Sequence, residues 1–120
     1  MSIKFFDSEL KVMNVLWREG DRTAKEIAGT LADSIGWNVN TTYTVIKKCI
    51  AKGGIERREP NFLCHALVSK AEVELSETEE LLEKIFDGSR DRLFAALIGS
   101  KKLSAEEIAN LKALVSELEG

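Results

Sequence analysis

The stretch Trp37–Arg58, WNVNTTYTVIKKCIAKGGIERR, constrains the fold more than any other part of the chain. A helix started after Asn38, whose side chain can cap free backbone N–H groups, places Thr42, Val45, Ile46, Cys49 and Ile50 on one side at spacings of three and four. Asn40, Thr41, Tyr43, Thr44, Lys47, Lys48 and Ala51 fall on the other side. That outward face is short, capable of hydrogen bonding and ends in lysines, as a helix entering a DNA major groove requires. An ordinary solvated helix face is the plain alternative. Gly53-Gly54 ends the helix, and the hydrophobic period then changes.

The flanking segments give this helix a context. A first helix is predicted from about Ser8 to Glu19, capped by Asp7 or Ser8 and stopped by Gly20, with Leu10, Met13 and Trp17 inward and Val12 and Leu16 beside them. Thr23-Ala24-Lys25-Glu26 is a capping box that opens a second helix with Ala24, Ile27, Ala28 and Leu31 on one face. Gly29 inside it costs up to about 1 kcal/mol relative to alanine. After the glycines, Ile55–Glu59 and Phe62–Val68 read as two strands interrupted by Pro60-Asn61, which makes a hairpin. Three helices and a hairpin, with a short link between helices two and three, are the order of a winged helix-turn-helix.

From Ser69 onward helix formers and acids dominate. One helix is predicted from Ser69 or Ser76 to about Phe86, another over Arg90–Ile98, and a last one after the box Ser104-Ala105-Glu106-Glu107. The expected architecture is therefore mainly α, with a winged helix-turn-helix over residues 1–70 and a C-terminal helical dimerisation region over residues 71–120. Three short amphipathic helices have too little core to fold alone. Their apolar faces can pack on the first domain or on a second copy of the chain. The second is favoured, because symmetric dimers are the commonest oligomers, and Leu81, Leu82, Ile85, Phe86, Leu93, Phe94, Leu97, Ile108, Leu111, Leu114, Val115 and Leu118 are assigned to a dimer interface.

A chain of 120 residues fits one domain, or a small domain with an appendage. No apolar run approaches the roughly 18 residues that span a bilayer. The start MSIKFFDSELK lacks a signal-peptide core, so a cytoplasmic location without a membrane partner is expected. The net charge of −3 argues against nucleic acid until its distribution is considered. Residues 1–70 carry 11 Lys+Arg against 8 Asp+Glu, whereas residues 71–120 carry 6 against 12. Within residues 38–58, Lys47, Lys48, Lys52, Arg57 and Arg58 face a single acid, Glu56. Local potential rather than total charge governs phosphate binding. Cys49, Cys64 and His65, the only histidine, do not have a zinc spacing. The cysteines read as buried free thiols, and no metal or cofactor is expected.

Enzyme signatures are nearly absent: there is no G-x-S-x-G, H-E-x-x-H, phosphate-cradling glycine loop or C-x-x-C. Glu79-Glu80 and Glu106-Glu107 read as solvated charges at helix starts or faces. The DNA-binding candidates form a more coherent set. Thr23 can offer its hydroxyl and helix N-terminal N–H groups to a phosphate, and Lys25 belongs with it. Asn40, Thr41 and Thr44 can meet base edges, while Tyr43 can meet a base edge, sugar or phosphate. Lys47 and Lys48 suit phosphate. Arg57 and Arg58 sit on the wing, where strand alternation sends only one of them to the DNA side. Trp17 and Trp37 read as core anchors. A winged-helix protein-interaction module with no DNA role is the alternative from a different class.

The ordered set of motifs resembles the penicillinase-repressor family of bacterial transcription regulators (BlaI/MecI type, with CopY-like copper-responsive members). The resemblance rests on Ser8-Glu9-Leu10, Val12-Met13, Leu16-Trp17, Thr23–Ile27, Trp37-Asn38, Thr41-Thr42, Thr44 and Lys52-Gly53. It continues through Leu67-Val68-Ser69, Phe86–Ser89 and Leu103-Ser104 with Glu107-Ile108 and Leu111. It implies a homodimeric repressor that reads a dyad operator through an N-terminal winged helix, with base contacts at Asn40, Thr41, Tyr43, Thr44 and Lys48, and a sensor or protease that lifts repression.

The departures matter as well. Asn40 stands where some relatives carry lysine, implying a different operator. The wing turn Glu59-Pro60-Asn61 lacks the usual glycine, and Cys64-His65-Ala66 replaces a more typical Tyr-x-Pro, implying a shortened or reshaped wing. Ala96-Leu97 stands near the Asn-Phe bond cleaved in antibiotic-responsive relatives, so that protease is not expected here. The paired C-x-C motifs of copper-responsive relatives have no counterpart.

Overall fold

A computed structural model describes residues 3–120. The element order is α1 (Asp7–Glu19), β1 (Arg22–Thr23), α2 (Ala24–Ile35), α3 (Val39–Ala51), β2 (Ile55–Arg58), β3 (Leu63–Ala66), α4 (Lys70–Ile85), α5 (Arg90–Gly99) and α6 (Ala105–Glu119). The chain forms two compact units, one ending at Glu77 and the other spanning Thr78–Gly120. Helix α4 begins in the first, where Val73 joins the core, and ends in the second.

In the first unit the periodic apolar residues meet as the spacing dictates. Val12, Met13, Val15 and Leu16 of α1, Ala24, Ile27 and Leu31 of α2, and Val45, Ile46 and Cys49 of α3 form one buried cluster with Ile55, Cys64 and Phe5. Trp17 and Trp37 pack at its margin, and Trp17 Nε1 donates to the Val68 carbonyl at 2.9 Å. The link from α3 to β2 needs its second glycine for a steric reason: a Cβ on Gly54 would lie 2.5 Å from the Phe5 ring. Gly29 is different, since a Cβ there meets nothing within 4 Å, and the small residue serves no close helix approach.

The helix starts follow the capping residues. Thr23 Oγ1 accepts from the Glu26 N–H at 3.1 Å while Glu26 Oε1 accepts from the Thr23 N–H at 2.9 Å. The same reciprocal pair joins Ser69 to Glu72 and Ser104 to Glu107. Helix α4 thus starts at the first of its two candidate caps. Helix α1 starts one residue earlier than predicted: Glu9 Oε1 accepts from the Phe6 N–H at 2.7 Å, so the cap comes from the third helical residue and not from Asp7 or Ser8.

The sheet has one strand more than the predicted hairpin. β2 and β3 pair antiparallel with Ile55 opposite Ala66 and Arg58 opposite Leu63. The two-residue β1 joins the other edge of β3, with Arg22 opposite Cys64 and Thr23 opposite Leu63, giving the order β1-β3-β2. The wing turn replaces glycine with Asn61 and Phe62, both left-handed at φ 69° and 54°. Asparagine visits that region readily, but an aromatic residue rarely does.

In the second unit, Ser89 Oγ caps α5 by accepting from the Arg92 N–H at 3.2 Å, and Ser104 caps α6. Neither α5 nor α6 buries a single residue.

Candidate nucleic-acid interface

Helix α3 presents the expected two faces. Asn38 Oδ1 accepts from the Asn40 N–H at 2.7 Å and fixes the first turn. Thr42, Val45, Ile46 and Cys49 are buried, and Ile50 is half-buried. Asn40, Thr41, Thr44, Lys47 and Lys48 are exposed along the opposite side. Thr44 turns its hydroxyl back onto its own helix, donating to the Asn40 carbonyl at 2.9 Å. This leaves outward a methyl group and an oxygen able to accept.

The five cations between residues 38 and 58 divide sharply. Lys52 leaves the surface patch: its Nζ lies 2.5 Å from Glu9 Oε1, 2.7 Å from the Lys4 carbonyl and 4.0 Å from the centre of the Phe6 ring. The wing arginines are also engaged. Arg57 Nε lies 2.5 Å from Glu59 Oε2, and Arg58 Nε lies 2.6 Å from Glu56 Oε1. Among the described residues only Lys47 and Lys48 of the five have no carboxylate in ion-pair reach. Lys25, exposed on α2, is likewise unpaired.

Strand alternation separates the two arginines. Arg57 lies opposite Cys64, on the sheet face turned to the core, and its guanidinium carbon sits 3.7 Å above the centre of the Phe62 ring. Arg58 lies on the other face beside Asp21, 3.9 Å away, whose second oxygen is 2.8 Å from His65 Nδ1. The hydrogen bond from Arg57 holds the Glu59 carboxyl below the usual carboxylate range.

Two candidates are more internally engaged than their sequence positions suggest. Tyr43 is half-buried, with its ring edge-on to Phe62 at 5.9 Å between centroids and 87° between planes. At the start of α2, the Thr23 N–H goes to Glu26, the Glu26 N–H goes to Thr23 and the Ala24 N–H goes to the Phe62 carbonyl at 3.0 Å. The Glu26 carboxylate, held below its usual range first by the Thr23 N–H, lies beside that terminus. An anion reaching Thr23 meets the hydroxyl and this carboxylate rather than a row of free N–H groups.

Sequence reasoning missed Asp21, Glu59 and Phe62 as partners of the wing cations and of Tyr43. Glu59 lies two residues from Arg57, a spacing that puts both on one strand face and was the available signal. Asp21 arrives only through β1. The cysteines are buried free thiols, and burial pushes Cys49 up to about 12 and Cys64 up to about 11. Both thiols are therefore protonated at neutral pH.

Of the apolar residues assigned to a dimer interface, Leu81, Ile85, Phe94, Leu97, Ile108, Leu114, Val115 and Leu118 are exposed. Phe86, Leu93 and Leu111 are half-buried. Leu82 is already covered within the chain, at 3% exposure.

Three helices, a wing tied back to them by β1, and a third helix whose outer face carries two unpaired lysines define a winged-helix protein. The sequence matches the penicillinase repressor family over residues 6–117. The chain belongs to that family. It is 24% identical over 112 residues to the methicillin resistance regulatory protein MecI of Staphylococcus aureus strain N315, covering 92% of this chain and 91% of MecI. It is 27% identical over 111 residues to an uncharacterized 16.5 kDa protein of Latilactobacillus sakei, covering 91% and 76% of the two chains. The solution structure of the DNA binding domain of the repressor BlaI superposes with a TM-score of 0.53 at 22% identity, covering 57% of this chain and 87% of that domain. That likeness agrees with the winged-helix fold of the first unit. No helix among the described residues is long and apolar enough to cross a membrane.

Proposed function

We propose that the chain is a transcriptional repressor that binds an inverted-repeat operator as a homodimer. Family membership supports repression, and the outer face of α3 carries the proposal for DNA. On that face Lys47 and Lys48 stay uncommitted next to Asn40, Thr41 and Thr44, while every other cation of the stretch is neutralised by a carboxylate. Asn40, Thr41, Tyr43 and Thr44 read bases, and Lys25, Lys47 and Lys48 grip phosphate. Arg57 and Arg58 reach DNA only by exchanging Glu59 and Glu56 for phosphate.

The dimer reading is supported by α5 and α6, two amphipathic helices with no buried residue. A second copy covering Leu97, Ile108, Leu114 and Leu118 removes that apolar area from water. Two recognition helices then sit about one helical turn apart, or a multiple, on one DNA face. Residues 1–70 act as the reading domain and residues 71–120 as the dimerisation region, in the cytoplasm where the operator lies. Repression is lifted by a sensor or protease whose signal differs from the Asn-Phe cleavage of antibiotic-responsive relatives.

Selection of bound duplexes from a random pool by the full chain tests the function. Enrichment of a palindrome supports it, and retention of no duplex removes it in favour of an interaction module. Sedimentation gives the oligomeric state independently.

A further inference from the structure

We propose that Phe62, which is outside the outer face of α3, is a positioning residue that aims the Tyr43 hydroxyl and holds the wing turn for base readout. The inference rests on the DNA-reading role proposed above.

Three elements converge on this one residue. Its ring takes the edge of Tyr43 from α3 at 5.9 Å, and the guanidinium of Arg57 from β2 covers the ring at 3.7 Å. Its carbonyl accepts the Ala24 N–H, 3.0 Å away, at the start of α2. The recognition helix, the helix before it and the wing strand are thus fastened at a single point. Phe62 itself is left-handed at φ 54°, a conformation a bulky residue holds only when its surroundings impose it. Here the surroundings are the Tyr43 ring, the Arg57 guanidinium and the bond to Ala24.

The Tyr43 ring is held while its hydroxyl has no hydrogen-bond partner among the described residues. An anchored ring with a free O–H suits a group aimed at an external acceptor, since the direction is set before the ligand arrives. Arg57, clamped between Phe62 and Glu59, fixes the height of the turn. A ring that merely filled space would not need a π face on one side and an edge contact on the other. Leucine would fill such a site.

The test compares the affinity of the full chain for a duplex that the wild type selects from a random pool with its affinity for a random-sequence duplex of equal length. Phe62→Ala is expected to lower the ratio of the two affinities about tenfold while leaving random-duplex binding within about twofold, because phosphate grip stays with Lys47 and Lys48. Phe62→Leu keeps an apolar side chain without a π face and is expected to lose the same ratio, so it decides the matter if Phe62→Ala fails to fold. Phe62→Tyr keeps the face and should recover the wild-type ratio within about twofold. Wild-type discrimination in Phe62→Leu overturns the assignment, as does failure of Phe62→Tyr to recover it. A wild-type chain that enriches no sequence and retains neither duplex overturns the DNA reading and this assignment together.

Discussion

Lys52 Nζ lies 2.5 Å from Glu9 Oε1, so a cation that belongs by sequence to the basic stretch closes an ion pair between α1 and the end of α3. Glu9 is 1% exposed. Burial alone pushes its carboxyl up, but the Lys52 hydrogen bond, the Phe6 N–H and the charges of Lys52 and Lys48 outweigh it and hold the carboxyl below the usual range. The pair ties the first helix to the C-terminal end of α3.

The sign of the pH effect follows. A carboxyl depressed in the folded state contributes stability that is complete above its unfolded value of about 4.5 and is lost as pH falls through the lower folded value. Lys52→Met leaves the buried carboxylate with the Phe6 N–H and the more distant Lys48 charge but no ion-pair partner, at a cost of about 3 kcal/mol near neutrality. Without the Lys52 hydrogen bond and charge the Glu9 carboxyl of that variant titrates higher than in the wild type, so its deficit should shrink on acidification. Urea titrations of both proteins at pH 7 and pH 4 check this, and a deficit that grows at pH 4 contradicts it.

Salt dependence reports which cations meet phosphate. With Lys25, Lys47 and Lys48 in each subunit of a dimer, log K should fall against log salt with a slope of about −5. Lys47→Ala should make the slope shallower by about 2, one contact per subunit, without altering base preference. A slope substantially steeper than −5 would show that Arg57 and Arg58 give up their carboxylates on binding. Anisotropy titrations across salt concentrations provide the measurement.

The hydroxyl of Thr44 donates to the Asn40 carbonyl, so its proton is spent and the outward methyl is the expected reading group at a thymine. Thr44→Val should keep discrimination against the wrong base within about twofold, whereas Thr44→Ser should lower it about fivefold at a thymine position. The reverse order in competition assays would make the hydroxyl the reading group.

Thr42 is fully buried, and its Oγ1 has no partner among the described residues. A desolvated hydroxyl without a bond carries a penalty that an isosteric methyl does not. Thr42→Val should stabilise the protein by about 1 kcal/mol and leave operator affinity unchanged. Chemical denaturation measures the gain. A loss of stability would mean that the hydroxyl is satisfied in solution.

Much of the fold can be read from residues whose preferences are local. Asn38, Thr23 and Ser104 set helix starts by geometry within three residues, and the spacing of Val45, Ile46 and Cys49 fixes which side of α3 is buried. What stayed hidden depends on partners remote in sequence. Lys52 reads as a surface cation because Glu9 lies 43 residues away. Tyr43 reads as wholly outward because Phe62 meets it only after the wing turns back. Two residues, Arg22 and Thr23, carry no strand period at all, so β1 exists only through its pairing with β3. Which face of α3 is exposed was legible, whereas the charges left free on it were not.

The third strand also sets an order of assembly. Pairing Arg22 with Cys64 and Thr23 with Leu63 closes a loop of about 40 residues that contains all of α2 and α3. A two-residue edge cannot hold such a loop shut, so the edge forms once the two helices have packed. β3 is then flanked on both sides only in a molecule whose α3 is already in place. Its amide protons should exchange with the global opening of the first unit, not with the fraying of a free hairpin.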